Sequence, residues 1–340
     1  MNDIESICPP YLKLAQTPTP LQPLPRLGKK LGLELYVKRD DLTGAALSGN
    51  KVRKLEFVMA EALDQGADTV LTCGGVQSNH CRTTAVAAAR LGLKCRLILR
   101  TDDPASPPPL EANSLLDRLV GADIVWINRA EYRNREEVFR REAESVERAG
   151  GRPYVIPEGA SNALGAWGYI RAMAELAEDL SRLARGADDP VTVIYAAGSG
   201  GTGAGLILGQ KLLDFEGRIV GINVCDDRQY FVNAIGEICE RAIARFGLDV
   251  SFSRKRDVEI IDGYVGRGYA ESSPDELKLI RDVARTEGVV LDPVYTAKAF
   301  FGLTRELELD PHRFGKRVVF IHTGGLIGLF PKTTELMPFL

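Results

Sequence analysis

The chain has 340 residues, of which 45% are hydrophobic and 26% are charged, and its formal net charge is −3. These values are typical of a globular protein with one large or two smaller domains, and they exclude the strongly basic balance of many nucleic-acid-binding proteins. No run of about 18 apolar residues occurs, so we expect no membrane-spanning segment. The first residues lack a basic segment followed by an apolar one, so we also expect no secretory signal.

The cysteines and histidines indicate a cytoplasmic protein without a metal centre. The three histidines, at positions 80, 312 and 322, are too far apart in sequence to suggest a zinc site. No CxxC spacing occurs, and free thiols in a reducing compartment are the simplest interpretation. The six cysteines are Cys8, Cys73, Cys81, Cys95, Cys225 and Cys239.

Short apolar runs rich in β-branched residues alternate with helical patterns along the chain. Such runs between helices are typical of parallel sheets covered on both faces, so we predict an α/β fold. The candidate strands span residues 33–38, 68–73, 95–100, 122–128, 152–157, 191–197, 219–225 and 317–322. Ligands bind beyond the carboxyl ends of such strands, which directs attention to the motifs that follow them.

Two segments predict helices of different kinds. The stretch SGNKVRKLEF (48–57) starts a helix with one apolar face, on which we expect Arg53 to be a surface cation. That face is formed by Leu55, Val58, Met59, Ala62 and Leu63. Residues 131–148 carry charges all round, which is typical of a solvent-exposed helix rather than a binding surface.

A glycine-rich loop, AAGSGGTGAG (196–205), follows one strand and opens a helix. Its glycines let the backbone approach a ligand closely, and the helix N-terminus offers free N–H groups to an anion. We therefore predict a phosphate-binding loop. Its candidate residues are Gly198, Ser199, Gly200, Gly201 and Thr202.

The loop alone leaves the phosphate compound open. Gly198, Gly200 and Gly203 match the dinucleotide fingerprint, and Asp226 follows the next strand where a ribose-binding acid belongs, so a nicotinamide-dependent oxidoreductase is one alternative. The Gly-Lys-Ser/Thr ending of an ATP-binding loop is missing. A cofactor with one phosphate, such as pyridoxal phosphate, is the other alternative.

Pyridoxal phosphate needs a lysine for its aldehyde and a clamp for its phosphate. Lys51 stands at a helix start, and Lys54 lies one turn further on the same face, although both patterns also suit surface lysines. In the second motif, GGVQSNH (74–80), Ser78 or Asn79 can cap a helix, and the same N–H groups can bind a substrate carboxylate.

Five ordered motifs resemble the D-cysteine desulfhydrase and 1-aminocyclopropane-1-carboxylate (ACC) deaminase family of pyridoxal-phosphate enzymes. The resemblance extends from about residue 17 to about residue 328 and disfavours the dinucleotide alternative. The motifs are KRDDLTGAALSGNKVRKLEF (38–57), GGVQSNH (74–80), AAGSGGTGAG (196–205), LDPVYTAKA (291–299) and HTGG (322–325).

The resemblance implies a fold of the tryptophan synthase β-subunit type, with open twisted parallel sheets in two domains. The expected larger, cofactor-binding domain combines residues 1–54 and 166–340, and the expected smaller α/β domain spans residues 55–165. It also implies a homodimer with a small amino-acid substrate.

The resemblance further implies roles for the motif residues. Lys51 is expected to form the Schiff base and to move protons at the substrate Cα, while Lys54 and the 198–203 loop hold the phosphate. Asn79 is expected to bond the phenolic oxygen of the cofactor, with Ser78 and His80 beside the substrate.

Two tyrosines match family positions that face the substrate, namely Tyr295 in DPVYT and Tyr269 in GRGY. Tyr264 lies close enough in sequence to be an alternative to Tyr269. The base that removes the Cα proton is either Lys51 or a pair of Tyr295 and Ser78, and the sequence leaves both open.

Two positions separate activities within the family. ACC deaminases typically carry Glu and Leu where this chain has Thr296 and Thr323. A threonine hydroxyl at the pyridine nitrogen leaves that nitrogen neutral, and the resulting weaker electron sink suits a substrate with a good leaving group such as thiolate. The resemblance favours D-substrates, and we therefore predict elimination of D-cysteine to pyruvate, hydrogen sulfide and ammonia.

Several alternatives stay open at this point. They are ACC deamination, elimination of sulfite from cysteate or of chloride from β-chloroalanine, β-replacement, and a non-catalytic homologue, although intact Lys51, Ser78 and Tyr295 disfavour the last. Glu158 and Ala160 depart from a family PxGGSN segment, which leaves the handedness of the substrate open.

Overall fold

The computed structural model describes residues 4–183 and 190–340, and the strands in these residues form two sheets. All eight predicted strands are present, and two further strands, β1 and β9, are only three residues long and therefore too short to show a pattern. The strands are β1 Leu21–Pro23, β2 Glu34–Lys38, β3 Thr69–Gly75, β4 Lys94–Arg100, β5 Asp123–Ile127, β6 Pro153–Val155, β7 Val191–Ala197, β8 Gly217–Asn223, β9 Glu259–Ile261 and β10 Arg317–Ile321.

Helices connect and cover these strands. Short 3₁₀ helices lie at Asp40–Leu42, Glu158–Ala160, Leu326–Lys332 and Met337–Phe339. The α-helices are α1 Ile4–Ile7, α2 Pro25–Leu31, α3 Asn50–Asp64, α4 Asn79–Arg90, α5 Ala112–Leu119, α6 Arg129–Arg133, α7 Arg135–Arg148, α8 Trp167–Leu183, α9 Gly201–Leu212, α10 Arg228–Phe246, α11 Arg254–Asp257, α12 Pro274–Glu287, α13 Thr296–Leu309 and α14 Thr333–Leu336. None of the helices in the described ranges is long and apolar enough to cross a membrane.

The two sheets are almost entirely parallel. The larger has the order β1-β2-β10-β7-β8-β9, and the smaller has the order β5-β4-β3-β6. Only β1 and β2 pair in the antiparallel sense among the described strands. The α/β prediction with parallel sheets is therefore confirmed.

The sheets divide along the sequence. The strands of the smaller sheet all fall between residues 69 and 155, and those of the larger sheet fall outside this range. The expected domain boundary at residues 54 and 55 lies inside helix α3, and the domain bounds stay a prediction. Residues 1–3 and 184–189 of the expected larger domain lie outside the described residues.

Apolar side chains cover both faces of the larger sheet. Successive side chains of a strand point to opposite sides of the sheet, and β10 follows this rule. Val319 belongs to the apolar cluster with residues of α3, α8 and α9, and Phe320 belongs to the cluster with residues of α12 and α13. Phe320 packs against Phe300 with ring centroids 5.1 Å apart. Full burial of such a side chain contributes about 1.5–3 kcal/mol.

Helix α3 is buried nearly all round, so the prediction of one apolar face was too narrow. Leu55, Val58, Met59 and Ala62 are buried as predicted, whereas Leu63 is 38% exposed. The helix packs against α4, which follows β3 of the smaller sheet, and against α8, which precedes β7 of the larger sheet. It therefore contacts helices that neighbour both sheets.

The prediction that Arg53 is a surface cation was wrong. Its side chain is buried, with Nη2 2.8 Å from Asp40 and Nη1 3.0 Å from Glu175. These partners lie 13 and 122 residues away in sequence. The local pattern of the helix could not reveal them.

Candidate active site

A cavity of about 1030 Å³ lies beyond the carboxyl ends of strands from both sheets. Its walls come from the turns that follow β3, β6, β7, β8 and β10, as expected for ligand sites in open parallel sheets. Of the predicted site residues, those that line the cavity are Lys51, Ser78, Asn79, His80, Gly198, Ser199, Gly200, Thr202, Tyr269, Tyr295 and Thr323. Lys54 and Gly201 stand one layer behind this lining.

The glycine loop forms a polar nest at one end of the cavity. Gly200, with φ +86°, is at the N-cap position of α9 and takes the left-handed backbone conformation that favours glycine. The hydroxyls of Ser199 and Ser161 are 2.9 Å apart, and the Gly201 N–H donates to Ser161 Oγ at 3.3 Å. Hydroxyls and free N–H groups at a helix start are the donors that a phosphate monoester requires.

Lys54 lies behind this nest without an acidic partner. Its Nζ donates to Ser161 Oγ at 3.2 Å, and no carboxylate lies within ion-pair distance in the described part of the chain. Burial, and then the charge of Lys51, holds the pKa of Lys54 well below its usual range. A phosphate in the nest would supply the missing negative charge. Ser161 joins Lys54 to the loop and was not predicted as a site residue, although it directly follows Glu158 and Ala160 in the segment that resembles the family PxGGSN motif.

Lys51 projects from the first turn of α3 into the cavity. Its Nζ lies 3.1 Å from Asn50 Oδ1 and 5.9 Å from the centroid of the Tyr295 ring. Burial lowers the pKa of Lys51 to about 8, although the carboxylates of Asp292 and Glu158 oppose the shift. A large fraction of the amine is therefore neutral and nucleophilic near pH 8.

The start of α3 is fixed by close contact with the HTGG turn. The Asn50 N–H donates to the backbone oxygen of Thr323 at 3.0 Å. A Cβ at Gly49 would lie 2.8 Å from that same oxygen, and a Cβ at Gly324 would lie 2.8 Å from Gly49 Cα. Only glycine allows both backbones to approach this closely, so these glycines set the position of Lys51.

The SNH turn places three polar residues along a second wall. Ser78 caps α4 by accepting from the Cys81 N–H at 3.1 Å. His80 Nε2 lies 2.8 Å from Thr72 Oγ1, whose hydroxyl donates to the Ile156 carbonyl at 2.9 Å. Nε2 therefore carries the ring proton, and burial together with the nearby lysines keeps the pKa of His80 well below its usual range. His80 is neutral, and its buried Nδ1 is an acceptor without a partner in the described residues.

Two tyrosines face each other across the cavity. The hydroxyls of Tyr269 and Tyr295 are 2.6 Å apart, whereas Tyr264 bonds to Glu306 away from the cavity lining. Burial raises the pKa of Tyr269 to about 12 and raises that of Tyr295 well above its usual range. Both phenols are thus protonated at neutral pH. No hydrogen bond joins Tyr295 to Ser78 in the ranges described.

The two threonines that were expected to distinguish activities occupy different settings. Thr323 lines the cavity. Thr296 is fully buried, and its hydroxyl lies 2.7 Å from Asp292 Oδ1 and 2.8 Å from the Asp292 backbone nitrogen. Thr296 therefore stabilises the turn before α13, and Thr323 alone of the two can reach a group in the cavity.

Helices α6 and α7 form a wall of the cavity, although their segment was predicted to be one solvent-exposed helix. The segment is interrupted at Asn134, and the buried Tyr132 donates a hydrogen bond to Glu158. The guanidinium groups of Arg100 and Arg135 lie 4.6 and 5.5 Å from the centroid of the Tyr132 ring. Tyr132, an aromatic residue among charged ones, was the sequence feature that could have indicated a buried contact in this segment.

Comparisons with known proteins identify the family. A sequence model described as "Pyridoxal-phosphate dependent enzyme" matches residues 12–324. The bifunctional D-cysteine desulfhydrase/1-aminocyclopropane-1-carboxylate deaminase, mitochondrial, of Arabidopsis thaliana is 44% identical over 330 residues, which cover 95% of this chain and 80% of the relative. The chain belongs to the pyridoxal-phosphate-dependent enzyme family.

Solved structures agree with this family fold. A crystal structure of an ACC deaminase homologue has a TM-score of 0.84 and 36% identity, and the match covers 97% of this chain and 96% of that one. A hydrogen sulfide-producing enzyme from Fusobacterium nucleatum has a TM-score of 0.62, covers 90% and 94% of the two chains, and at 16% identity shows the fold alone. The expected fold type and family resemblance are confirmed.

The cofactor of this family enzyme is pyridoxal phosphate, and the residues present fit it. The uncompensated Lys54 and the donors of Ser161, Ser199 and Thr202 match its phosphate, and the neutral fraction of Lys51 matches its aldehyde. When bound, pyridoxal phosphate withdraws electrons from the substrate Cα.

Proposed function

We propose that this enzyme eliminates the β-thiol of a small amino acid, D-cysteine above all, and releases pyruvate, hydrogen sulfide and ammonia with the consumption of one water. The observation that carries the proposal is that Thr323 of the HTGG turn lines the cavity, at a position where ACC deaminases typically carry Leu. A hydroxyl is a weaker partner for a ring nitrogen than the Glu carboxylate that those enzymes typically carry at the position of Thr296, and thiolate is a leaving group that needs no stronger electron sink.

Asp292, the carboxylate nearest in sequence to Tyr295, is already saturated. It accepts hydrogen bonds from the backbone N–H groups of Val294, Tyr295 and Thr296, at 2.9, 3.0 and 2.7 Å. The Thr296 hydroxyl adds a fourth contact. These bonds support an assignment of Asp292 to the turn rather than to the substrate.

Lys51 and the tyrosine pair divide the proton transfers in this proposal. The neutral amine of Lys51 takes the proton from the substrate Cα, since its pKa of about 8 places it near the working range of a general base. Tyr269 and Tyr295 stay protonated and form a hydrogen-bonded pair, so one of them can donate a proton to the departing sulfur. Water then converts the released enamine into pyruvate and ammonia.

The start of α4 binds the substrate carboxylate in this proposal. The helix has twelve residues, and its N-terminus carries the partial positive charge that favours an anion. Ser78 adds a hydroxyl whose proton is free to donate, because its oxygen is the atom that accepts from Cys81. Asn79 and His80 complete this wall.

ACC deamination is the second candidate function. The name of the Arabidopsis relative contains both activities, and the crystal structure with 36% identity is of an ACC deaminase homologue. Deamination of ACC yields 2-oxobutyrate, whereas elimination from cysteine yields pyruvate and sulfide. The two activities are therefore separated by their products.

The test is a substrate panel with purified enzyme and added pyridoxal phosphate. We expect kcat/KM to be highest for D-cysteine among D-cysteine, L-cysteine, D-serine, cysteate and ACC. Faster formation of 2-oxobutyrate from ACC would assign the enzyme to the second candidate. The variant Thr323→Val replaces the hydroxyl with a methyl group, and we expect about a tenfold lower kcat for D-cysteine. An unchanged kcat would refute the argument from Thr323.

The proposal includes a homodimer in the cytoplasm, which rests on the family resemblance and on six cysteines without CxxC spacing. Light scattering coupled to size-exclusion chromatography measures the mass in solution. A mass of one chain would contradict the dimer.

A further inference from the structure

A fully buried asparagine, Asn113, lies behind the cavity wall at the start of α5. It does not line the cavity, and no motif singled it out. Its side chain contacts Arg82 on α4 and both Gln77 and Asn79 in the turn before that helix. One side chain thus connects α5 to the wall that carries the SNH residues.

The chemistry of its partners fixes the orientation of the Asn113 amide. Oδ1 lies 3.0 Å from Nε of Arg82, which can only donate, and Nδ2 lies 3.1 Å from the backbone oxygen of Gln77, which can only accept. A flipped amide would set donor against donor and acceptor against acceptor. The observed orientation is therefore the one that satisfies both partners.

This orientation determines that of Asn79 in turn. Asn113 Nδ2 lies 3.2 Å from Asn79 Oδ1, so the acceptor end of the Asn79 amide is occupied. Asn79 lines the cavity, and its Nδ2 has no partner within the described ranges. Asn79 therefore offers N–H donors, and not an acceptor, to whatever binds in the cavity.

Arg82 extends the same connection toward Lys51. Its guanidinium is buried, and Nη1 donates to the backbone oxygen of Ala46 and, at 3.1 Å, to Ser48 Oγ. The segment of Ala46 and Ser48 leads into the first turn of α3, where Lys51 lies. The network of Asn113 and Arg82 thus supports two walls of the cavity at once.

We propose that Asn113 is a positioning residue that holds the Asn79 amide with its N–H groups directed at an acceptor oxygen of the bound cofactor, and that Arg82 ties this amide to the segment before Lys51. The proposal rests on the proposed function and on the role that the family resemblance implies for Asn79, namely a hydrogen bond to the phenolic oxygen of the cofactor. It assigns no chemical step to Asn113 itself.

The variant Asn113→Asp tests the proposal, because a carboxylate cannot donate to Asn79 Oδ1. The Asn79 amide should then rotate, present its oxygen to the cavity and repel the acceptor oxygen of pyridoxal phosphate. We expect the Kd of cofactor-depleted protein for pyridoxal phosphate to rise about tenfold or more. The matched control is Ser114→Ala, since Ser114 is equally buried in the same helix but its side chain bonds only to Glu111 among the described residues. We expect its Kd to stay within about twofold of the wild type.

A double-mutant cycle with Asn79→Ala separates positioning from general destabilisation. If Asn113 acts through Asn79, then N113D should change the Kd by less than about twofold in the N79A background. An equal loss in both backgrounds, or an equal loss in N113D and S114A, would overturn the proposal. Asn113→Ser carries the same expectations if N113D does not fold. Failure of the proposed lyase function would show itself separately, as wild-type protein that binds the cofactor but releases no sulfide from D-cysteine.

Discussion

The three cations at the start of helix α3, Lys51, Arg53 and Lys54, belong to two groups that differ in their charge partners. The first group, which we call the ion cluster, is internally compensated, and the second, the lysine pair of Lys51 and Lys54, has no carboxylate within ion-pair distance in the described residues. The ion cluster consists of Lys38, Asp40, Arg53, Glu175 and Asp179. Arg53 of the ion cluster lies between Lys51 and Lys54 at the start of α3, so position on the helix does not distinguish a structural charge from a functional one.

The pKa values of the two groups show the difference. Burial alone would lower the pKa of Arg53, but the charges and hydrogen bonds of Asp40 and Glu175 raise it. The pKa values of both lysines are lowered, because nothing offsets their burial fully. A buried charge with its own partners stabilises the fold, whereas a buried charge without them stabilises the fold only when a ligand brings the partner.

The sharpest test of the lysine pair is Lys51→Ala. We expect a loss of at least about 10⁴-fold in kcat, because the variant lacks both the group for the cofactor aldehyde and the base. Covalent labelling by borohydride, followed by peptide mass spectrometry, should mark Lys51 in the wild type and nothing in the variant. Equal labelling of Lys51 and Lys54 in the wild type would contradict the division of roles.

Substitution in the ion cluster should lower the stability of the fold and leave kcat nearly unchanged. We expect Arg53→Ala to lower the free energy of unfolding by about 3–5 kcal/mol, because Asp40 would stay buried without its counter-charge. Urea unfolding measures this loss, and the kcat of the folded fraction should stay near that of the wild type. A decrease in the free energy of unfolding of less than about 1 kcal/mol would mean that Arg53 contributes no more than a surface ion pair.

The ion cluster also makes the stability of the protein depend on pH in the acid range. Burial alone would raise the pKa of Asp40, but the charge and hydrogen bonds of Arg53 hold it below its ordinary value. The stability that Asp40 contributes is therefore fully present above its unfolded pKa near 3.8 and is lost as the pH falls through the lower folded value. We expect the stability of Arg53→Ala to decline less steeply than that of the wild type in this acid range.

Lys54→Met should separate stability from cofactor binding. We expect about 10- to 100-fold weaker binding of pyridoxal phosphate, because a charge-assisted contact with the phosphate is lost. The cofactor-free protein should become slightly more stable, since a buried amine without an acidic partner is replaced by an apolar side chain of similar length. Fluorescence titration and thermal unfolding of the cofactor-free protein measure the two effects, and a less stable cofactor-free variant would refute this interpretation of Lys54.

Features that depend on neighbouring residues could be predicted from the sequence. Strands and the turns after them are local features, so eight of the ten described strands, the glycine loop and the SNH turn could all be recognised from neighbouring residues. Lys51 could be singled out only through the ordered motifs, because its own neighbourhood also suits a surface lysine. The structure adds the environment that lowers its pKa.

The missed features all depend on partners that are distant in sequence. Arg53 meets Glu175 across 122 residues, Lys54 meets Ser161 across 107, and Tyr132 meets Glu158 across 26. A charged or polar residue has the same local pattern whether it meets solvent or such a partner. Periodicity therefore predicted exposure at Arg53, and that prediction was wrong for this reason. Residues 131–148 are largely exposed or half-buried and are helical as predicted, but the segment is divided into two helices, and Tyr132 and Arg135 line the cavity.

The smallest expected effect concerns Glu158, which departs from the family segment. Its carboxylate acts on Lys51 in the direction that raises the pKa, against the lowering by burial. Glu158→Gln keeps an oxygen to accept from Tyr132 but removes the charge, so we expect the pKa of Lys51 to fall by about half a pH unit or less. The pH dependence of covalent cofactor capture by cofactor-depleted protein, followed from pH 6 to 10, reports this pKa.

Glu136→Gln is the matched control for that measurement. Glu136 also lines the cavity, but the carboxylates that act on Lys51 are those of Asp292 and Glu158. We expect a smaller shift in the control than in Glu158→Gln. The sign decides the matter, because a lower midpoint means more neutral Lys51 and faster capture at pH 7. A higher midpoint in Glu158→Gln would contradict an effect of the Glu158 charge on the pKa of Lys51.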